Sequence, residues 1–388
     1  MQFKRLVKTL GTCTFLLLLF TGYHRSYTIR YLHTPTIQLP VDTTVFHIVD
    51  FGDEVSNDTL LQSLSKEGYP IRYSRAIRTG VCFDNKCRPL DVVLHWNVTG
   101  RYLGFELPKK EFLSKYDHEP FTEKEYQRLH ELLTDSLSPL GGFYYNEVVP
   151  QADSTYNKVD AVSGATSANV LEYVVEGAAL TTYKLWHLVY GPTQPKIQAL
   201  TRQRLSPELL YLILTSSNMN DRMWALNHVQ GYVASTPEMQ ALVLSYISSS
   251  NYSLAERAIN SINQTDLQSD VLQARLMTIF LKSGHSTKKL LLLKLKEAPK
   301  LSTEVADVLR NNLQLLNGEL LATTLDLFIQ QGSIDLETSR AVSELLVNTN
   351  SYVSKMAFSF LEKVNSTDET IKKRLTDYRA KQAGSGVR

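Results

Sequence analysis

The sequence contains few cysteines and no excess of charge, and both limits narrow what the protein can be. Three of its 388 residues are cysteine, and 41 basic against 39 acidic side chains leave a net charge of +2. A nearly neutral chain has no broad positive field to attract nucleic acid, so we expect no nucleic-acid partner. Glycine-rich phosphate loops, nucleophile elbows and zinc-protease helices are also missing from the sequence, which excludes the enzymes that depend on them.

The apolar run Leu10 to Tyr23 falls short of the roughly 20 apolar residues that cross a bilayer. Lys4, Arg5 and Lys8 precede it. Positive charges before a short apolar run are typical of an export signal or an N-terminal anchor, and no clear small-x-small cleavage site decides between the two. We therefore interpret residues 1–30 as a signal peptide or membrane anchor. In either case the remaining chain is expected to be extracytoplasmic, in the periplasm.

Cysteine usage agrees with an oxidising compartment. Cys13 lies in the apolar run, and the other two, Cys82 and Cys87, bracket Phe-Asp-Asn-Lys. Such a compartment favours a disulfide between Cys82 and Cys87. A metal site or redox thiols are the alternative, although no second Cys or His pair has the spacing of a zinc site.

Residues 45–193 combine strand and helix patterns and predict an α+β domain. Val92 to Trp96 and Tyr102 to Leu107 are rich in β-branched and aromatic residues and flank a turn, which predicts a hairpin. Thr122, followed three residues later by Glu125, predicts a capped amphipathic helix. A long apolar helix is expected from Val170 to Val189.

Residues 194–380 lack strand signals and repeat an apolar pair every 33 residues. The five pairs are Leu226 and Val229, Ile259 and Ile262, Leu292 and Leu295, Leu325 and Phe328, and Phe358 and Leu361. One helical hairpin per repeat, stacked on its neighbours, explains this period and predicts an all-α solenoid similar to HEAT-type repeats. An irregular helical bundle is the alternative. Residues 381–388 are expected to form a disordered tail.

The string Asp160-Ala-Val-Ser-Gly-Ala-Thr166 carries the chemistry of the sequence. It resembles the flavinylation motif of the FMN-carrying subunits of Rnf-type and sodium-translocating quinone reductase complexes. The resemblance implies an FMN-binding-type domain at 45–193, with FMN joined to Thr166 by a phosphoester that a separate flavin transferase installs. It makes Asp160 the acidic position and Ser163, Gly164 and Ala165 the small segment before the attachment residue.

The residues themselves agree with this interpretation. A threonine hydroxyl can be esterified by phosphate, and small neighbours leave room for a tethered flavin. Thr166 and Ser167 also precede the predicted helix, whose N-terminus would favour a phosphate. Tyr173, Tyr183 and Trp186 are candidate contacts of the flavin ring. The alternative is an ordinary loop and helix cap with no cofactor.

These observations predict an α+β FMN-binding-type domain followed by an all-α helical-repeat domain, which together act in electron transfer. The expected partners are a flavin transferase, a redox partner protein or membrane electron-transfer complex, and a protein partner of the repeats. Two other functions stay open: a flavin-dependent reductase of a small substrate, and a flavin-free scaffold at the membrane.

Overall fold

The computed structural model of this chain describes residues 29–51, 58–81, 88–115, 118–148, 171–231 and 235–385. Most of the predicted signal or anchor segment lies outside these ranges. Within them, no helix has the length and apolar character needed to cross a bilayer. A layer of strands and helices comes first and a long series of helices follows. The expected order of an α+β domain and a helical region is therefore confirmed.

One antiparallel sheet contains the strands of the described chain. They are β1 (Arg30–Leu32), β2 (Thr43–Ile48), β3 (Thr59–Leu64), β4 (Pro70–Thr79), β5 (Leu90–Asn97) and β6 (Tyr102–Glu106). Their order across the sheet is β1-β6-β5-β4-β3-β2, so β1 and β2 are its edges. Strands β5 and β6 pair as the predicted hairpin, with Leu94 opposite Phe105.

Strand direction gives the sheet two ends that differ in what is attached to them. Neighbouring strands run in opposite directions, so each end collects residues that are distant in sequence. The lower end, as we call it, is formed by Arg30, Ile48, Thr59, Thr79, Leu90 and Glu106. The upper end is formed by Leu32, Thr43, Leu64, Pro70, Asn97 and Tyr102.

Helices cover only one face of the sheet in the described chain. Side chains alternate between faces along a strand, and Tyr73, Arg75 and Ile77 of β4 are buried on the covered face. Ala76 and Arg78 point the other way and are exposed. We call this second face the open face.

The covering helices pack their apolar side chains into the core of the sheet domain. They are α1 (Glu123–Leu132), α2 (Tyr145–Val148), α3 (Ala179–Tyr190) and α4 (Thr193–Arg202), with 3-10 turns at Pro139–Gly142 and Leu171–Tyr173. Helix α1 begins with the predicted capping box, in which Thr122 accepts from the Glu125 backbone and the Glu125 side chain accepts from the Thr122 backbone. Leu129, Leu185 and Ile197 are fully buried in this core.

Paired antiparallel helices make up the rest of the described chain. The first helices of the pairs are α5 (Pro207–Leu214), α7 (Pro237–Ile247), α9 (Asp270–Lys282), α11 (Thr303–Asn311) and α13 (Leu336–Glu344). The second helices are α6 (Met219–Leu226), α8 (Tyr252–Asn260), α10 (His285–Lys296), α12 (Gly318–Gln331) and α14 (Ser351–Val364). A final helix, α15 (Glu369–Ser385), packs beside α13.

The 33-residue period is confirmed by the placement of these helices. Leu226, Ile259, Leu292, Leu325 and Phe358 lie on successive second helices, and all five belong to or pack against one continuous core. Each second helix packs against the next one. The helices therefore form a stacked array and not an irregular bundle.

The structure extends the sheet domain beyond its predicted limits of 45 and 193. At the N-terminal side, strand β1 begins at Arg30. At the C-terminal side, Ile197 of α4 packs in the sheet core. The Thr201 hydroxyl holds α4 on the sheet by donating to the Val98 carbonyl at 2.6 Å. The predicted tail also begins too early. Helix α15 continues to Ser385, and its Ile371, Leu375 and Tyr378 pack in the core of the repeats.

Candidate functional site

The motif residues lie outside the described part of the chain. These residues are Asp160, Ser163, Gly164, Ala165, Thr166 and Ser167, and Cys82 and Cys87 also lie outside it. The predicted flavin attachment and disulfide therefore stay predictions. What the structure does describe is where the two segments that contain them join the fold.

Both segments leave the fold next to each other, near the lower end of the sheet. The described chain stops at Val148 and resumes at Leu171, and Val148 and Val175 are buried in the sheet core. The Tyr145 hydroxyl donates a hydrogen bond to the carbonyl of Val81, the residue before the cysteine segment. Residue Tyr145 therefore ties the start of one segment to the start of the other.

The helix after the motif begins later than the sequence predicted. Instead of starting at Val170, the chain forms a 3-10 turn at Leu171–Tyr173, passes through Gly177 with a left-handed φ of +71°, and enters α3 at Ala179. A left-handed residue cannot continue an α-helix, which explains the break. Helix α3 therefore does not follow directly on Thr166 and Ser167, and support of a phosphate by its N-terminus stays a prediction that the order of residues no longer favours.

One side of α3 presents a row of aromatic side chains to the segment 133–143. The Tyr183 hydroxyl donates to the Phe143 carbonyl at 2.9 Å, and the Trp186 indole nitrogen donates to the Asp135 carbonyl at 2.9 Å. The Tyr190 hydroxyl donates to the Leu133 carbonyl at 2.7 Å. These bonds fix the rings and satisfy polar atoms that would otherwise be costly to bury.

The residues predicted to contact a flavin ring differ in how accessible they are. Trp186 is buried, and a Cβ on Gly141 would come within 2.8 Å of its ring. Tyr173 and Tyr183 are half-buried, and the Tyr183 ring stands edge-on to Tyr145 with 5.6 Å between centroids. Trp186 is thus a core side chain, whereas Tyr183 and Tyr145 lie beside the place where the motif segment begins.

Two histidines are buried on opposite faces of the sheet. Burial, and to a lesser extent neighbouring His33, lower the pKa of His130 to about 4. His130 stacks on His33 and bonds the Tyr102 hydroxyl through Nδ1 at 3.0 Å. Burial likewise lowers the pKa of His95 to about 4, although Glu106 opposes the shift. Both imidazoles are therefore neutral at physiological pH.

A buried carboxylate joins the sheet domain to the first repeat, and no local sequence pattern marks it. Asp221 of α6 is fully buried and accepts from Arg101 at 2.9 and 3.1 Å. The hydroxyls of Thr36 and Thr99 also donate to it. Burial alone would raise the pKa of Asp221, but Arg101 and the two hydroxyls together hold it below its ordinary value.

Other features of the described residues add no catalytic group. No cluster of three metal-ligating side chains occurs among them. An open groove of about 650 Å³ lies at the C-terminal ends of α10 and α12. Its lining is mostly polar and consists of Gln264, Lys296, Glu297, Ala298, Pro299, Gln330 and Gln331.

Comparison with protein-family models and with curated proteins found no match to this sequence.

Proposed function

We propose that this protein is an extracytoplasmic electron-transfer protein that carries FMN as a phosphoester on Thr166. The observation that carries the proposal is the string Asp160 to Thr166, in which a hydroxyl follows two small residues and a carboxylate stands six positions earlier. A flavin transferase would attach the cofactor. When bound, FMN would take up and release electrons, and a redox partner protein or membrane electron-transfer complex would exchange them with it.

The described residues around the motif segment support this proposal. Val148 and Val175 attach both ends of the segment to a rigid core, so a cofactor on it would stay next to the sheet domain. Tyr145 lies at the start of the segment with the Tyr183 ring beside it, and aromatic rings offer a flat ligand the contact area that it needs. The Tyr183 hydroxyl is already bonded to Phe143, which keeps its ring in place.

The intact mass of the exported protein tests the attachment directly. We expect protein produced together with an active flavin transferase to gain the mass of one FMN. Thr166→Ala should abolish this gain, because it removes the hydroxyl that forms the ester. Ser167→Ala is the matched control and should keep it, since the neighbouring hydroxyl is not the acceptor.

Two further variants separate the acceptor from its recognition. Thr166→Ser should remain flavinylated because it keeps a hydroxyl, and Asp160→Asn should load less FMN while keeping the acceptor. Covalent FMN on Thr166→Ala would contradict the proposed site. An unaltered protein that gains no mass beside an active transferase would contradict the cofactor itself.

A flavin-free scaffold is the second candidate function, and the polar groove at α10 and α12 favours it. Stacked helical repeats present long surfaces to partner proteins, and the polar lining of this groove suits a hydrophilic segment of such a partner. The same mass measurement decides between the two candidates. A chain without FMN would leave the repeats, and the partner they bind, as the functional part of the protein.

A further inference from the structure

The lower end of the sheet carries exposed apolar side chains that the proposed electron transfer does not use. Phe46 and Ile48 of edge strand β2 are 68% and 79% exposed. The register places Phe46 opposite Leu61, whose partner is Ser74, so these side chains lie on the open face. An edge strand with bare aromatic and aliphatic side chains is an unusual surface for a protein surrounded only by water.

The chain enters the sheet at this same end. Arg30 opens β1 and pairs with Glu106, in the same cross-strand row as Ile48. Strands β1 and β2, at the two edges of the sheet, are five strand spacings of about 4.8 Å apart, which is a distance of about 24 Å. Arg30 follows Tyr23, the end of the apolar run, by seven residues, and seven residues reach at most about 25 Å.

The helical repeats are attached to the upper end of the sheet, opposite the end at which the chain enters. Ile37, Ile71 and Val98 belong to the same core as the repeats. Thr99 lies in the turn after β5 and bonds Asp221 of the first repeat at 2.7 Å. The upper end of the sheet is therefore buried against the repeats, whereas the lower end is available for contact with another surface.

We infer that the lower end of the sheet rests on the bilayer surface, with Phe46 and Ile48 inserted among the lipid headgroups. This inference depends on the proposed extracytoplasmic location, with the apolar run Leu10 to Tyr23 kept in the membrane. The repeats then extend away from the membrane, and Val81 and Tyr145, where the cysteine and motif segments begin, face toward it.

Apolar insertion and not charge attraction holds this surface on lipid. Arg78, Lys109 and Lys110 lie at the lower end, but so do the carboxylates of Asp50, Asp58 and Asp91, the last of them opposite Arg78. Charges of both signs largely cancel in their pull on anionic headgroups. Contact should therefore change little with salt concentration.

Tryptophan fluorescence of the full chain in lipid vesicles tests the inference. The chain, with its N-terminal segment and without a flavin transferase, is reconstituted into phosphatidylcholine vesicles with brominated acyl chains. Bromine quenches tryptophans that lie in or next to the bilayer. In Phe46→Trp we expect the added emission to shift to shorter wavelength and to fall at least about twofold, because position 46 sits among lipids.

Tyr352→Trp is the matched control, since Tyr352 is 55% exposed on α14 of the fifth repeat. Its added emission should not be quenched. Equal quenching at both positions would overturn the inference, and so would a chain that does not stay with the vesicles. No flavin is present, so a failure of FMN attachment would not change this result.

Discussion

At the scale of single residues, Gly104 of β6 has no room for a side chain beside strand β1. A Cβ at this position would lie 2.0 Å from the Tyr31 carbonyl oxygen and 2.8 Å from the Leu32 Cα. Both are backbone atoms of β1, so neither can move aside without displacing the strand. We expect Gly104→Ala to lower the free energy of unfolding by about 2 kcal/mol or more.

Urea denaturation followed by circular dichroism measures this effect. Gly142→Ala is the control, because a Cβ there meets no atom within 4 Å, and its effect should stay within about 0.5 kcal/mol. Equal stability of the two variants would show that β1 does not pack against β6 as described.

Asp221 makes the stability of the protein depend on pH. Its pKa is lower in the folded state, so the ionised carboxylate stabilises the fold above its unfolded pKa of about 4. That contribution is lost as the pH falls through the still lower folded pKa. We expect Asp221→Asn to cost about 3 kcal/mol at pH 7, because Arg101 loses its buried partner.

Denaturation at several pH values tests the sign of this prediction. The difference between the wild type and Asp221→Asn should shrink steadily below pH 4. Asp326→Asn is the control, since its exposed carboxylate lies 3.6 Å from the Lys296 ammonium on the surface of the repeats, and it should change stability by less than about 1 kcal/mol. A difference for Asp221→Asn that does not vary with pH would contradict the assigned role.

Sequence distance explains why the capping box could be predicted and the Asp221 junction could not. Thr122 and Glu125 are three residues apart, so their pattern is visible in the chain itself. Thr36, Thr99 and Arg101 lie 120 to 185 residues from Asp221, and only the fold brings them to its carboxylate. Thr166 and Asp160 are recognisable by spacing alone, but where they lie relative to the sheet cannot be predicted from that spacing.

At the scale of elements, helix starts in the repeats keep the same spacing as the apolar pairs. The second helices are capped at Asn218, Asn251, Gly284, Asn317 and Asn350. Each asparagine side chain accepts from a backbone N–H of the first turn, whereas Gly284 offers no side chain. The asparagines stand at multiples of 33 residues in the sequence, so these helix starts could have been predicted from that spacing.

We expect Asn251→Ala to destabilise the protein by about 1 kcal/mol, because the Leu254 N–H loses its acceptor at 3.0 Å. Asn260→Ala, at the exposed last residue of the same helix, should be nearly neutral. Thermal or urea unfolding of both variants gives the comparison. If both cost the same, capping does not account for the effect.

Helix and strand types could be predicted where the pattern is strong, and helix limits could not be where backbone geometry intervenes. The β5 to β6 hairpin and α1 follow from alternation and capping. The apolar residues Val170, Val174 and Val175 are compatible with a helix that starts at Val170, but the chain forms a 3-10 turn at Leu171–Tyr173 and α3 starts at Ala179. The left-handed conformation of Gly177 and the hydrogen bond from Val175 N–H to Thr182 Oγ1 break the helix before α3. Both belong to the folded structure and cannot be recognised in the apolar pattern of the sequence.

At the scale of the whole molecule, the sheet domain closes the first end of the helical array. Its upper end contributes Ile37, Ile71 and Val98 to the core of the repeats. End repeats of a solenoid need such a cover, because their apolar face has no further neighbour. The two domains should therefore share stability and not unfold independently.

We expect Ile71→Ala, in strand β4, to speed hydrogen exchange in α5 and α6 although the substitution lies in the other domain. The removed side chain leaves a cavity worth about 2 to 4 kcal/mol in their shared core. Leu60→Ala is the control, because Leu60 packs in the core of the sheet domain alone. Exchange in α5 and α6 that responds equally to both substitutions, or to neither, would contradict a shared core.

Because the helix starts are evenly spaced, the array of repeats can be lengthened or shortened by whole repeats. Ser269 and Ser302 cap α9 and α11 in the same way and stand 33 residues apart. Removing residues 269–301 would therefore join equivalent points of two modules and shorten the molecule by one step, with no change of phase in the later helices. A lineage that lost or duplicated such a module would alter its span while leaving the string Asp160 to Thr166 untouched.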